Sequence, residues 1–122
     1  MITLDYWKTL PPTSQRLIAK KYCTEAEFDA EDTMKITGNL KLLTRFSEQA
    51  HSVAKKRTHY SARTIIEVLR HNSVIEDNDS DYKINNNITP LMARISMQMF
   101  PALNALFSIR TQTTKVLDTL HP

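Results

Sequence analysis

Positively charged side chains are concentrated in the middle of the chain. Residues 35–70 hold eight lysines and arginines against two acids, Glu48 and Glu67, although the net charge of the whole chain is only +3. The densest part is the Lys-Lys-Arg run at residues 55–57. Cations segregated in this way on a small domain favour a polyanionic partner, because their summed field attracts phosphate or carboxylate groups.

Seven side chains of this region are candidates for nucleic-acid binding. Those expected to grip phosphate are Lys55, Lys56, Arg57 and His59. Those expected to face bases are Arg63, Arg70 and Asn72. Guanidinium and amide groups can make paired hydrogen bonds to base edges, whereas lysines act as point charges on the backbone. The alternative role of these side chains is a solvated charged surface without a ligand.

A run of acids follows the basic region and provides a second candidate surface. Its members, which would contact a basic protein surface, are Glu76, Asp77, Asp79 and Asp81. Phosphate would repel them, so they argue against a nucleic-acid contact at this point. The three aspartates also match the first ligands of an EF-hand calcium loop. However, Tyr82 stands where that loop needs glycine and Ile88 where it needs glutamate, so no metal site is expected.

Residue patterns typical of enzymes are missing. Gly38 is the only glycine, which excludes glycine-rich phosphate loops and nucleophile elbows. The histidines have neither the company nor the spacing of metal ligands. Cys23, the single cysteine, is expected to be a small buried hydrophobe rather than a nucleophile, and no internal disulfide can form. We predict no catalytic residues, no enzyme activity, no metal and no cofactor.

Helices are expected to position the basic side chains, because one glycine is too few for the turns of an all-β fold. Apolar residues at three- and four-residue steps predict a helix over 39–56, and Ser61 can cap another over 62–72. A connection of four or five residues would pack the two helices together. Residues 74–84, a polar centre between β-formers, predict a small β-hairpin. This order is that of helix-turn-helix and winged-helix domains.

The N-terminal third is predicted to hold two further helices. Residues 1–12 are expected to be irregular, since Pro11-Pro12 fixes an extended entry to a helix over 14–22. The sequence Thr24-Glu25-Ala26-Glu27 matches a capping box that would start the next helix, and Gly38 would end that helix or lie in the loop after it.

The C-terminal third follows the same pattern. Thr89-Pro90 predicts the start of a helix that Pro101 ends or kinks, with a sixth helix after it and a tail over 111–122. The expected fold class is therefore mainly α, a single domain over residues 1–122 with five or six short helices and one small hairpin. The apolar face of residues 91–107 would suit a homodimer.

The expected location is the cytoplasm. The first seven residues lack the basic and apolar regions of a signal peptide. The most apolar stretch, residues 91–106, is interrupted by polar residues and by Pro101, so no membrane contact is expected.

A resemblance to known proteins covers roughly residues 38–110. The residues that carry it are the run HYSARTIIEVLRH from His59, YKINNN from Tyr82, Ala93-Arg94, Pro101 and Phe107. In these residues the chain resembles small bacteriophage- and prophage-encoded proteins of uncharacterised function. The resemblance implies a phage or mobile-element context in a bacterial cytoplasm, where proteins of this size often regulate or inhibit host machinery.

Two hypotheses of function follow. The first is a non-enzymatic accessory or regulatory protein that binds DNA or RNA through the basic region. The alternative is a protein-binding inhibitor of a host enzyme or nucleoprotein defence complex, of the anti-CRISPR or anti-restriction type. Its contact surface would be the acidic residues at 76–81 or the basic face.

Overall fold

The computed structural model describes residues 1–72 and 88–107, and this part of the chain is built from helices. The elements, in order, are α1 Leu4–Thr9, α2 Pro12–Glu25, α3 Ala30–Thr37, α4 Leu40–Ala54, α5 Ala62–Asn72, α6 Thr89–Met99 and a 3₁₀ turn Pro101–Leu103. The prediction of a mainly α fold is confirmed. The predicted hairpin at 74–84 and the tail at 111–122 lie outside the described residues. Within residues 1–72 and 88–107, extended backbone pairs at one isolated parallel bridge, between Tyr60 and Phe107.

Helices α4 and α6 form the centre of the core, and α2, α3 and α5 pack against both of them. The predicted apolar stripe of α4 is confirmed, since Leu43, Phe46 and Ala50 are fully buried. The apolar residues of α6 are buried in the same core. Each large side chain buried in this way stabilises the fold by about 1.5–3 kcal/mol. Most apolar side chains of the predicted dimer face over residues 91–107 are therefore buried inside the monomer.

The prediction that residues 1–12 are irregular is wrong, because α1 forms there. Thr3 caps this helix by accepting a hydrogen bond from the Tyr6 N–H at 3.2 Å. Trp7 is fully buried, and its indole N–H donates to Thr44 Oγ1 at 2.8 Å. Gln15 Nε2 donates to the Trp7 carbonyl at 2.9 Å. One buried indole thus holds a helix that is too short to show a periodic pattern.

The predicted capping box at Thr24 is also wrong, since α2 continues through Glu25. Its end is a Schellman motif in which the Phe28 N–H donates to the Cys23 carbonyl and the Glu27 N–H to the Thr24 carbonyl. Glu27 takes the left-handed position, at φ 63°, where glycine is usual. Asp29 caps α3 instead, and its carboxylate accepts from the Asp32 N–H at 2.8 Å.

Gly38 ends α3 as predicted, with its N–H bonded to the Met34 carbonyl at 2.9 Å. A Cβ at this glycine would lie 3.0 Å from the same carbonyl oxygen, so a side chain here would require a small shift of the backbone. Helix α6 begins at Thr89 with Ile88 as its N-cap, one residue from the predicted boundary. The sixth helix expected after Pro101 is a 3₁₀ turn of three residues.

Candidate nucleic-acid interface

The basic run at residues 55–57 lies at the C-terminal end of α4, where carbonyl groups lack helical partners. The backbone N–H groups of Lys56 and Arg57 both donate to the Val53 carbonyl, at 2.9 and 3.0 Å, and close the last turn. The three cationic side chains are exposed. A helix C-terminus favours cations, so the backbone helps to hold positive charge at this place.

The connection from α4 to α5 spans seven residues, 55–61, rather than the four or five predicted, and Tyr60 anchors it. The Tyr60 N–H donates to the Leu106 carbonyl at 3.0 Å, and Tyr60 bridges to Phe107. The Phe107 ring packs on Phe46 in the core, with centroids 5.4 Å apart. The Arg57 guanidinium lies 5.9 Å from the centroid of the Tyr60 ring. The connection is therefore fixed to the core at the point where Arg57 stacks.

Helix α5 is amphipathic and turns its basic residues outward. Ile65 and Ile66 are buried, whereas Arg63 is exposed in the first turn of the helix. The Ser61 hydroxyl accepts from the Thr64 N–H at 3.4 Å, which supports the predicted cap. Three residues on the same face, Arg63, Glu67 and Arg70, follow one another at steps of four and three.

The structure divides the seven predicted contacts into groups with different surroundings. Five of them are exposed, and four of these five fall within eight residues of chain and stand apart from the cavity that Lys55 lines. We call these four the basic turn: Lys56, Arg57, His59 and Arg63. Within the part of the chain that the structure describes, Lys56 and Arg63 form no ion pair.

The other three predicted contacts stand apart from the basic turn. Lys55 lines a separate cavity of about 320 Å³ that also includes the first residues of α1, among them Asp5. Arg70 forms an ion pair with Glu67, which offsets its charge. Asn72 is the last residue of α5, and its side chain lies outside the described part of the chain. The acidic residues of the alternative surface, Glu76, Asp77, Asp79 and Asp81, lie outside the described residues as well.

The structure has a second basic surface that was not predicted from the sequence. It lies on the outer side of α2, and we call it the α2 face: Arg16, Leu17, Lys20 and Lys21, all exposed. No described residue forms an ion pair with its three cations. The signal was present in the sequence, because no acid occurs from residue 6 to residue 24. A single exposed leucine among cations does not stand out until the helix shows which side is buried.

A polar cleft of about 520 Å³ opens where α6 meets the turn between α2 and α3. At its edge, Arg94 donates to the Ala26 carbonyl at 2.8 Å and lies 4.7 Å from the centroid of the Phe28 ring. Glu27 and Ala105, the described residues other than glycine with positive φ, both line the cleft. Arg94 thereby joins α6 to the α2–α3 turn, so these contacts account for its guanidinium structurally.

The expectation that Cys23 is a buried hydrophobe is confirmed. Its side chain is fully buried, and this burial raises the pKa of the thiol from its ordinary value of 9.0 to about 11. A thiol in this state is a poor nucleophile. Among residues 1–72 and 88–107, no group of three or more histidine, cysteine or acidic side chains could hold a metal ion. None of the helices described has the length and apolar character needed to cross a bilayer.

The described helices define a mainly α protein with an exposed basic turn. Comparison of the chain with protein-family models, with curated proteins and with solved structures finds no match.

Proposed function

We propose that the protein binds DNA or RNA without catalysis, as an accessory or regulatory protein of phage or mobile-element type in a bacterial cytoplasm. The observation that carries this proposal is the basic turn. Its four side chains are exposed within eight residues, and a helix C-terminus and an anchored tyrosine fix the backbone beneath them. Polyanion binding gains from such preorganisation, because less side-chain and loop entropy is lost when the ligand arrives.

The start of α5 adds to this surface. The first N–H groups of a helix carry partial positive charge and can bind a phosphate group. Arg63 stands in that first turn, next to the end of the basic connection. The same phosphate could thus interact with a guanidinium and with the helix terminus.

The finer fold proposal is a helix-turn-helix in which α5 is the recognition helix and the segment 74–84 follows as a wing. Its support is the packing of α4 against α5 and the outward direction of Arg63. The connection of seven residues is longer than the three or four of a typical helix-turn-helix. We therefore propose that α5 is presented to a groove by the anchored connection and not by a tight turn.

Fluorescence anisotropy with labelled duplex DNA, single-stranded DNA and RNA tests the proposal across a salt series. If the three cations of the basic turn, Lys56, Arg57 and Arg63, neutralise about three phosphates, the logarithm of the binding constant should fall against the logarithm of salt concentration with a slope of about −2 to −3. Arg63→Ala should weaken binding and reduce that slope by about one.

The matched control is Arg16→Ala on the α2 face, which removes the same charge from a different exposed helix and should leave the slope unchanged. Absence of binding to all three probes at low salt would refute the proposal. So would binding that does not respond to salt. Equal loss in both variants would show that net charge, and not the basic turn, drives association.

A further inference from the structure

The outer sides of α2 and α3 carry two large apolar side chains that the monomer does not use. Leu17 on α2 is 65% exposed, and Met34 on α3 is 72% exposed. The two helices pack closely together as a hairpin, and the buried Cys23 of α2 contacts Thr33 of α3. We call these two side chains the apolar centre of the hairpin; contact with another surface would remove them from water.

Opposite charges flank this apolar centre. The basic side is the α2 face, with cations at residues 16, 20 and 21 around Leu17. The acidic side is the turn between the helices and the first turn of α3, where residues 25–32 contain five acids and no lysine or arginine. Glu27 and Glu31, both exposed, represent this side, and we call the pair the acidic end.

We propose that the α2–α3 hairpin is a self-association surface that takes a second copy of this chain in a twofold dimer. A twofold interface places the same patch on both copies, so the patch must be complementary to itself. Rotating one hairpin by 180° lays its acidic end on the cations of the partner copy, and the reverse contact forms at the same time. Leu17 and Met34 then lie near the axis. The patch carries both signs of charge and an apolar centre, and this favours a second copy over a uniformly acidic partner.

The size of the hairpin sets the strength of this dimer. Fourteen residues of α2 span about 21 Å, and two packed helices are about 20 Å wide. Roughly 400 Å² per copy, or about 800 Å² in total, can be covered, which is less than the roughly 1,200 Å² at which standard specific interfaces begin. The dimer should therefore be weak, populated at protein concentrations on the order of 100 μM, and sensitive to salt because much of its attraction joins exposed charges.

Sedimentation velocity with a charge-swap design tests the dimer. The first variant, Lys20→Glu/Lys21→Glu, reverses the basic side, and the second, Glu27→Lys/Glu31→Lys, reverses the acidic end. Each variant alone should be monomeric where the unmodified chain dimerises. An equimolar mixture of the two should dimerise again, because both contacts in a mixed dimer then join opposite charges. Far-UV circular dichroism checks that each variant is folded.

The matched control is Lys56→Glu/Arg63→Glu, which makes the same change of charge on the basic turn and should leave the dimer intact. Salt at about 1 M should dissociate the unmodified dimer, because it shortens the screening length from about 10 Å to about 3 Å. An unmodified chain that is monomeric throughout at low salt would overturn the proposal, and so would a mixture of the swapped variants that stays monomeric.

Nucleic-acid binding provides an independent readout. If reversal of Lys20 and Lys21 abolishes binding to duplex DNA while the oligomeric state does not change, the α2 face is a nucleic-acid contact and the dimer proposal is wrong. Because the dimer does not depend on the basic turn, failure of the proposed function leaves this experiment interpretable.

Discussion

The hydrogen bond between Trp7 and Thr44 provides a quantitative test of how the N-terminal helix is held. We expect Thr44→Val to lower the free energy of unfolding by about 1–3 kcal/mol, the cost of leaving a buried N–H group without an acceptor. The shape of the side chain hardly changes, and threonine and valine have similar helix propensities, so neither packing nor propensity explains a loss of this size. The indole is fully buried, which denies it a replacement partner in water.

Urea denaturation gives the measurement, followed both by fluorescence and by far-UV circular dichroism. Trp7 is the only tryptophan, so its emission reports directly on the site. The Thr44 hydroxyl donates to the Leu40 carbonyl at 3.0 Å. The matched control is Thr24→Val, because the Thr24 hydroxyl likewise donates to the carbonyl four residues earlier in a helix, but Thr24 is exposed. It should change stability by less than about 0.5 kcal/mol. If Thr44→Val is as stable as the unmodified chain, the indole hydrogen bond does not hold α1.

Three further substitutions or treatments have expected outcomes. Ser47→Ala should raise the free energy of unfolding by about 1 kcal/mol in urea denaturation, because the buried Ser47 hydroxyl has no hydrogen-bond partner. The control Ser96→Ala should show no such gain, because it removes a hydrogen bond to the Ala93 carbonyl at 3.1 Å. Ala105→Gly should raise the thermal midpoint by relieving a left-handed backbone (φ 66°), while Ala102→Gly in the nearby 3₁₀ turn should lower it. The Cys23 thiol should resist a disulfide reagent at pH 8 until urea unfolds the chain. Because burial raises the pKa of this thiol to about 11, the protonated thiol should contribute fully to the free energy of unfolding below pH 9, and this contribution should be lost as the pH rises towards 11. Fast labelling of the folded chain at pH 8 would contradict the burial of the thiol.

The helices with a clear apolar period were predictable from the sequence, and the short ones were not. Leu43, Phe46 and Ala50 repeat at three- and four-residue steps and mark α4 without any tertiary information. Helix α1 has six residues, which is too few to show an apolar period, and its stability depends on the hydrogen bond between Trp7 and Thr44. That contact is 37 residues away in sequence, so no local rule contains it.

The error at Thr24 has a different cause. Threonine followed by glutamate three residues later fits a helix start, but Glu27 adopts a left-handed backbone and ends the preceding helix there. Glycine usually signals such an ending, and the chain uses glutamate in its place. A local pattern cannot separate these two outcomes when the residue that usually distinguishes them is absent.

The candidate site was predictable in composition but not in arrangement. The sequence was sufficient to locate the cations, but the ion pair between Arg70 and Glu67 and the position of Lys55 beside α1 depend on the folded chain. The cation–π contact between Arg57 and Tyr60 is local, yet its rigidity comes from Leu106 and Phe107, nearly fifty residues later.

The contacts between early and late residues also constrain how the chain acquires its shape during synthesis. The Ile2 N–H bonds to the Met99 carbonyl, and the Trp7 ring packs edge-on against Phe100. At the usual elongation rate of about 5–20 residues per second, the first helix is therefore synthesised several seconds before the residues that it contacts. Pulling experiments on stalled ribosomes should show a folding force only for nascent chains in which α6 has left the exit tunnel. The connection between α4 and α5, residues 55–61, should be the last part to become rigid.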